Sequence, residues 1–284
     1  MPTPLHIRKR RLFGALIVPA AAIVATLLWS SPGLARSAGH HHKSTAGKPT
    51  IVLVHGAWAD ASSWSSVIKR LQSDGYTVYA PPDPLRGIAS DAGYLESFLK
   101  TIRGAIVLVG HSYGGAVITN AATSDPEVKA LVYVDAFIPD QGQTILQLAS
   151  AKPGSHLAGD PTKVFNFVPF GPGAGDVDLY VKPSVFPDAF ANGLSPRLAA
   201  ELAASQRPLA ASALQEPSGT PAWATIRSWS VIGTQDHIIP PAEQVAMSTH
   251  AGAQITKIDA PHLSMLADPG GVTHVIVEAA HKVG

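Results

Sequence analysis

From Thr50 onward, short and continuously apolar runs alternate with stretches whose apolar residues recur every three to four positions. The runs are TIVLVHG (50–56), YTVYAPPDP (76–84), AIVLVG (105–110), ALVYVDAF (130–137), SWSVIGTQD (228–236) and QITKIDA (254–260). Each is short enough for a strand and lacks the in-out alternation of a half-solvated sheet, so each reads as a strand buried on both faces. Between them, Trp64, Val67, Ile68 and Leu71 take the i, i+3, i+4, i+7 spacing of a helix face that stops at Gly75. Leu95, Phe98, Leu99 and Ile102 repeat that spacing up to Gly104, and Val272, Val275, Ile276 and Ala279 form a last apolar face. A further helix is expected from Tyr113 to about Ala122. This rhythm predicts an α/β fold: a mostly parallel sheet with helices on both faces. It breaks between Pro139 and Arg227, a stretch rich in Pro, Gly and Ala with helical segments such as SPRLAAELAASQRPLAASAL. That is too long for a loop and reads as a helical cap over about 140–227, inserted between strands of a domain spanning 50–284.

Charge changes the picture only at the start of the chain. The first 59 residues contain no Asp or Glu, while Arg8, Lys9, Arg10 and Arg11 cluster ahead of the uncharged run Leu12–Trp29. Gly33 and Ala35 then supply a small-x-small pair. This order describes a signal peptide over 1–35, cut near Ala35, and hence a secreted or periplasmic protein. KRRLF also resembles part of a twin-arginine export motif. The alternative is an uncut membrane anchor over 12–29, whose length is close to the shortest that spans a bilayer. Pro19 and the small residues after the run favour cleavage, which leaves no stable membrane association. Residues 36–49, with His40, His41 and His42, read as a flexible linker. Without Arg8–Arg11, 17 basic residues face 20 acidic ones, a charge of about −3 that gives no electrostatic case for nucleic acid. The chain has no cysteine, so disulfides and thiol chemistry are excluded.

One junction carries chemistry. Gly110-His111-Ser112-Tyr113-Gly114 is G-x-S-x-G, set between an apolar run and a stretch of small residues. That context suits a sharp strand-to-helix elbow, in which small neighbours let the serine hydroxyl stand above the sheet edge. A serine needs a base to attack at neutral pH, and the base needs an acid to orient it. His262 is the only histidine just after the last strand, and Asp236 ends the strand before it. Ser112, Asp236 and His262 therefore fall in the order Ser–Asp–His, each at a strand end. Asp135 also ends a strand and is the alternative acid. Asp259 reads as a solvated strand-end residue, His237 as pointing away and His55 as structural. Two N–H groups are needed for the oxyanion; Tyr113 follows the nucleophile, and Ala57 lies in the loop after the first strand. No phosphate loop, dinucleotide fingerprint or spaced metal-ligand set is present in the sequence, so no cofactor or metal is expected.

Taken together, these residues resemble the α/β-hydrolase superfamily over about Thr50–Gly284. VLVHGAW, GHSYGGAV, VYVDAFIP and HLSML look like its branch of small bacterial esterases, plant methyl esterases and hydroxynitrile lyases. The resemblance implies a Ser112–Asp236–His262 triad. It argues against lyase chemistry, because such lyases carry a lysine after the catalytic histidine and here Leu263 follows His262. The expected activity is that of a serine carboxylesterase on small, neutral, hydrophobic esters, with a small-molecule ester as its partner. Amidase, thioesterase, lactonase, C–C hydrolase and cofactor-free perhydrolase reactions fit the same triad, and a non-catalytic binding protein is the remaining class.

Overall fold

Each apolar run enters the interior as a strand whose register carries its C-terminal end to the same edge. A computed structural model describes residues 47–171 and 177–284. Strands β1 (Thr50–Val54), β2 (Val78–Tyr79), β3 (Ile106–His111) and β4 (Val128–Val134) come before the cap. In the cap itself are β5 (Phe165–Pro169), β6 (Val177–Val181) and β7 (Leu209–Ala210), and β8 (Ser228–Gly233) and β9 (Gln254–Ile258) follow it. Six of them form one sheet in the order β2-β1-β3-β4-β8-β9, with every pairing parallel. The chain crosses from β2 over β1 to β3, so the strand order reverses beside β1, the crevice where open parallel sheets bind their ligands. Val54 is level with Gly110, His111 with Val134, Val134 with Val231 and Gly233 with Ile258. The loops that follow these positions carry every candidate site residue.

Helices α1 (Ser65–Ser73), α2 (Ile88–Leu99) and α3 (Tyr113–Ala121) alternate with the first strands. Helix α1 is entered through a 3-10 turn, Ala61–Trp64, capped by Asp60, whose carboxylate accepts from the Ser62 N–H. It ends where Gly75 takes φ +78°, a conformation that costs glycine little. Trp64, Val67 and Leu71 are fully buried and Ile68 partly so, as the helical spacing requires. The run 76–84 supplies only the two residues of β2. Pro81, Pro82 and Pro84 have no N–H to offer a neighbouring strand and end the ladder at this sheet edge.

The cap between β4 and β8 departs from the helical expectation. It holds the short helices α4 (Ile145–Ser150), α5 (Pro161–Val164), α6 (Phe186–Ala189) and α7 (Pro196–Ser205). It also holds an antiparallel three-stranded sheet, β5-β6-β7. The period-two signal is present in VDLYV, where Leu179 and Val181 are buried and Asp178 and Tyr180 are only partly so. Prolines and glycines around it hide that alternation in a helix-seeking reading. The chain closes with α8 (Pro241–His250), α9 (Ser264–Ala267) and α10 (Pro269–His281). Helix α10 packs with α1 and on β3, β4 and β8, while α2 packs on α3, which lies on β1, β3 and β4. Val272, Val275, Ile276 and Ala279 of α10 are fully buried. Among the described residues no helix is long and apolar enough to cross a membrane. The expected signal peptide, the apolar run 12–29 and most of the linker lie outside the described residues.

Candidate active site

Ser112 sits between the last residue of β3 and the first of α3 with φ 51° and ψ −121°. A non-glycine residue at such angles is strained, and strain of this kind persists where the surroundings fix it. Here they do. The Ser112 N–H donates to the Val134 carbonyl (3.2 Å), and its own carbonyl accepts from Gly115 (2.9 Å) and Phe137 (3.1 Å). The flanking glycines serve close approach. A Cβ on Gly110 would stand 2.5 Å from the Gly114 carbonyl oxygen, and one on Gly114 would stand 2.7 Å from that of His55. All of these obstacles are backbone, so side chains at those positions would force the elbow apart.

His262 lies four residues beyond β9. Its Nδ1 is 2.8 Å from Asp236 Oδ2 and its Nε2 is 3.0 Å from Ser112 Oγ. A carboxylate only accepts, so Nδ1 carries the proton and donates, leaving Nε2 to accept from the Ser112 hydroxyl. The imidazole is gripped further: the His111 Nε2–H donates to the His262 carbonyl (2.9 Å), and Phe190 meets the ring edge-on at 5.8 Å. Burial pushes the His262 pKa below its ordinary value, so the ring rests neutral and ready to take a proton.

Asp236 follows the turn after β8. Its Oδ1 accepts from the N–H groups of Ile238 (2.7 Å) and Ile239 (2.9 Å), and its Oδ2 accepts from Gln244 Nε2 (2.7 Å) as well as from His262. Burial raises its pKa, and the N–H groups of Ile239, Ile238 and Gln244 oppose that rise. With four donors on two oxygens, the carboxylate is the form that fits, because neither oxygen has room for a proton.

Asp135, the alternative acid, is turned elsewhere. Its Oδ1 accepts from the Gly233 N–H (2.7 Å) and its Oδ2 from the Ser264 N–H (3.3 Å). With φ 44° and full burial, it ties the end of β4 to the end of β8 and to the start of α9. Burial, with Asp236 nearby, pushes its pKa well above the usual carboxylate range. His55 bonds locally: its Nδ1 lies 2.9 Å from the Gly56 carbonyl, and its Nε2 accepts from the Asp83 N–H at 2.9 Å. Asp259 is exposed and accepts from Gln235 Nε2 at 2.6 Å. His237 faces the cap.

Gly56 packs directly on Ser112, since a Cβ there would stand 2.7 Å from the serine Cβ. Ala57, the next residue, therefore lies beside the elbow. Neither the Ala57 N–H nor the Tyr113 N–H donates to a backbone carbonyl among the described residues. The Tyr113 hydroxyl donates to Asp91 Oδ2 at 2.9 Å, fixing that side chain away from the reacting groups. Gln244, His111 and Asp91 escape a reading of the sequence, because each acts through one hydrogen bond to a residue that folding brings near.

The centre is closed. Ser112 is 3% exposed and His262 1%. Trp58 ties the first loop to the cap: its Nε1–H donates to the Leu179 carbonyl of the cap (2.8 Å) and its ring lies against Phe165 (5.3 Å) and Phe190 (5.0 Å), which meets His262. Phe165 and Leu179 also line a cap cavity of about 330 Å³, completed by Leu157, Phe167 and Leu214 among others, with no charged side chain on its wall. Other cap aromatics have partners of their own. Phe186 stacks on Phe190 at 5.4 Å, Trp223 Nε1–H donates to the Pro139 carbonyl, and the Arg86 guanidinium covers Phe170. A larger open depression of about 490 Å³, bordered by Lys69, Arg70, Asp74 and His274, contains none of these groups.

Comparison with known proteins adds to this geometry. Residues 51–275 match the model of the Alpha/beta hydrolase family. The carbendazim hydrolyzing esterase of Nocardioides sp. is 34% identical over 111 residues, which are 34% of this chain and 46% of that esterase, so the match spans about half of that relative. A probable hydrolase, R7, of Phoma sp. is 25% identical over 254 residues, 82% of this chain and 98% of that protein. Among solved structures, polyneuridine aldehyde esterase superposes with a TM-score of 0.71 at 19% identity, covering 82% of this chain and 99% of that one, a likeness of fold.

Proposed function

This chain belongs to the alpha/beta hydrolase family, and from that membership and the site we propose that it is an exported serine carboxylesterase acting on small, neutral, largely hydrophobic esters. The observation that carries the proposal is the unbroken line Ser112 Oγ–His262 Nε2 and His262 Nδ1–Asp236 Oδ2, at 3.0 and 2.8 Å. In this reading Ser112 Oγ attacks the acyl carbon while its proton passes to His262 Nε2. Asp236 holds the imidazole tautomer and stabilises the imidazolium that forms. The N–H groups of Ala57 and Tyr113 receive the negative charge that develops on the carbonyl oxygen. His262 then gives its proton to the departing alkoxide, and the acyl group stays on Ser112. Water, deprotonated by His262, cleaves that ester and releases the acid.

The preference for neutral apolar esters rests on the uncharged wall of the cap cavity. A carboxylate or phosphate on the substrate would call for a placed arginine. Relatives whose names are those of esterases, such as the carbendazim hydrolyzing esterase, support the same chemistry. Export rests on the basic cluster, apolar run and small-x-small pair of residues 1–35. A chromogenic ester series from acetyl to dodecanoyl, run on the protein and on Ser112→Ala, tests the activity. Turnover by the wild type that the variant lacks is expected; turnover equal in both would overturn it. N-terminal sequencing of secreted material tests export, and the expected first residue lies near Arg36.

A further inference from the structure

Three side chains outside the Ser112–His262–Asp236 line converge where the cap meets the core. His156 opens a 3-10 turn of the cap, Asp188 lies on α6, and His237 directly follows Asp236. One ligand-capable atom of each lies within 4.8 Å of those of the other two. His156 Nε2 and Asp188 Oδ2 are 3.7 Å apart, and the two imidazoles stack with centroids 5.6 Å apart and planes 13° from parallel. We propose that His156, Asp188 and His237 form a binding site for a divalent transition-metal ion, with Zn²⁺ as its chemical type, and that the ion joins the cap to the loop carrying Asp236.

The donor set is the first argument. Two imidazoles and a carboxylate make an N₂O set that zinc takes with water in a fourth position. The second is orientation. His237 Nδ1 lies 3.1 Å from the Asp188 carbonyl and donates its proton there, so the Nε2 lone pair is free and the ring is aimed. Metal-binding histidines are held in this way, with the second ring nitrogen bonded to a carbonyl or carboxylate. The third is that the other two groups are unspent. Neither the His156 ring nor the Asp188 carboxylate makes a hydrogen bond within 3.5 Å among the described residues.

The backbone frame is already built. The His156 N–H donates to the His237 carbonyl at 2.9 Å, and the Ser155 hydroxyl donates to the Ile238 carbonyl at 2.6 Å. Only side chains need to move. Ligand bonds of about 2.0–2.1 Å at tetrahedral angles place donor atoms about 3.4 Å apart, so the widest pair must close by about 1.4 Å. The Asp188 side chain is 74% exposed and can swing that far. The three residues sit at 156, 188 and 237, too far apart in the chain to form a spacing motif.

Calorimetric titration of Zn²⁺ into the full protein, beside His156→Ala and Asp188→Asn, tests the site. The His40–His42 run is common to all three chains, so only the difference between them counts. The wild type is expected to bind one more equivalent than either variant. With Zn²⁺ at about 100 times its dissociation constant, its thermal midpoint should rise by about 5–10 °C over the EDTA-treated protein. Both variants should lose that rise, while zinc-free His156→Ala keeps its ester turnover. Equal binding and equal midpoint shifts in all three chains would overturn the site. Hydrogen exchange tests the joining: Zn²⁺ should slow exchange in 154–158 and 186–190 of the wild type, and binding without that protection would overturn it.

Discussion

His262 Nε2 reaches within 3.0 Å of Ser112 Oγ across 150 residues of chain, and the backbone of each residue is anchored independently of that contact. Ser112 is held by three hydrogen bonds of its own N–H and C=O, and His262 by the His111 ring on its carbonyl. Removing either side chain should therefore leave the fold in place. Ser112→Ala and His262→Ala are each expected to lower kcat by about 10⁴-fold or more, with a residue of acceleration from the oxyanion site and binding. Single-turnover assays alongside circular dichroism check this, and a folded Ser112→Ala with near-normal turnover would refute the proposed nucleophile.

The two buried aspartates should separate cleanly. Asp236→Asn keeps the shape but presents an amide where His262 needs an acceptor, and a loss of about 10⁴-fold in kcat is expected. Asp135→Asn instead sets an NH₂ against one of the two N–H groups from which the carboxyl oxygens accept, Gly233 or Ser264. It should cost about 1–3 kcal/mol of stability and leave kcat within a small factor. Urea unfolding and kinetics on the pair decide it. The reverse pattern, with Asp135→Asn inactive and Asp236→Asn active, would exchange the roles.

The pH profile follows from the burial of His262. Its folded pKa lies below the ordinary 6.5, so it is the neutral base at and above that pH. The acid limb of kcat/KM is expected to fall below pH 6.5. Stability should follow the same sign. Between the lowered folded value and the unfolded 6.5 the unfolded chain binds more protons, so this contribution is complete above pH 6.5 and is lost as pH falls through that window. An acid limb centred above 6.5 would contradict the assignment.

The cap cavity should meter acyl length. Burying each methylene is worth about 0.8 kcal/mol, so kcat/KM should climb by about fourfold per carbon until the cavity is filled. Phe167 lines it while 47% exposed, so its truncation strains little. Phe167→Ala is expected to move the maximum of an ester series toward longer chains without lowering acetyl-ester turnover by more than about threefold. An unchanged profile would place the acyl chain elsewhere.

Much of this molecule can be read from its residues, for physical reasons that also mark where reading stops. Runs such as Ile106–Val109 are apolar on both faces because helices cover both, and that pattern is local. The elbow is legible because Gly110 and Gly114 must lack side chains within five residues of each other. The choice between Asp135 and Asp236 is not legible. Both end strands, and the folded structure, with φ 44° at Asp135, directs that carboxyl to the Gly233 N–H instead of the imidazole. The strands of the cap were hidden by neighbouring Pro and Gly, and the His156–Asp188–His237 cluster by distance along the chain.

The tie between Trp58 and the Leu179 carbonyl gives the enclosed serine a timing property. Ser112 is 3% exposed, so a reagent is expected to reach it only after the cap moves. The speed at which a small serine-directed phosphonate labels Ser112 is then a clock for the opening of the cap. As reagent concentration rises, labelling is expected to level off at the opening rate, which would also limit turnover by the proposed esterase.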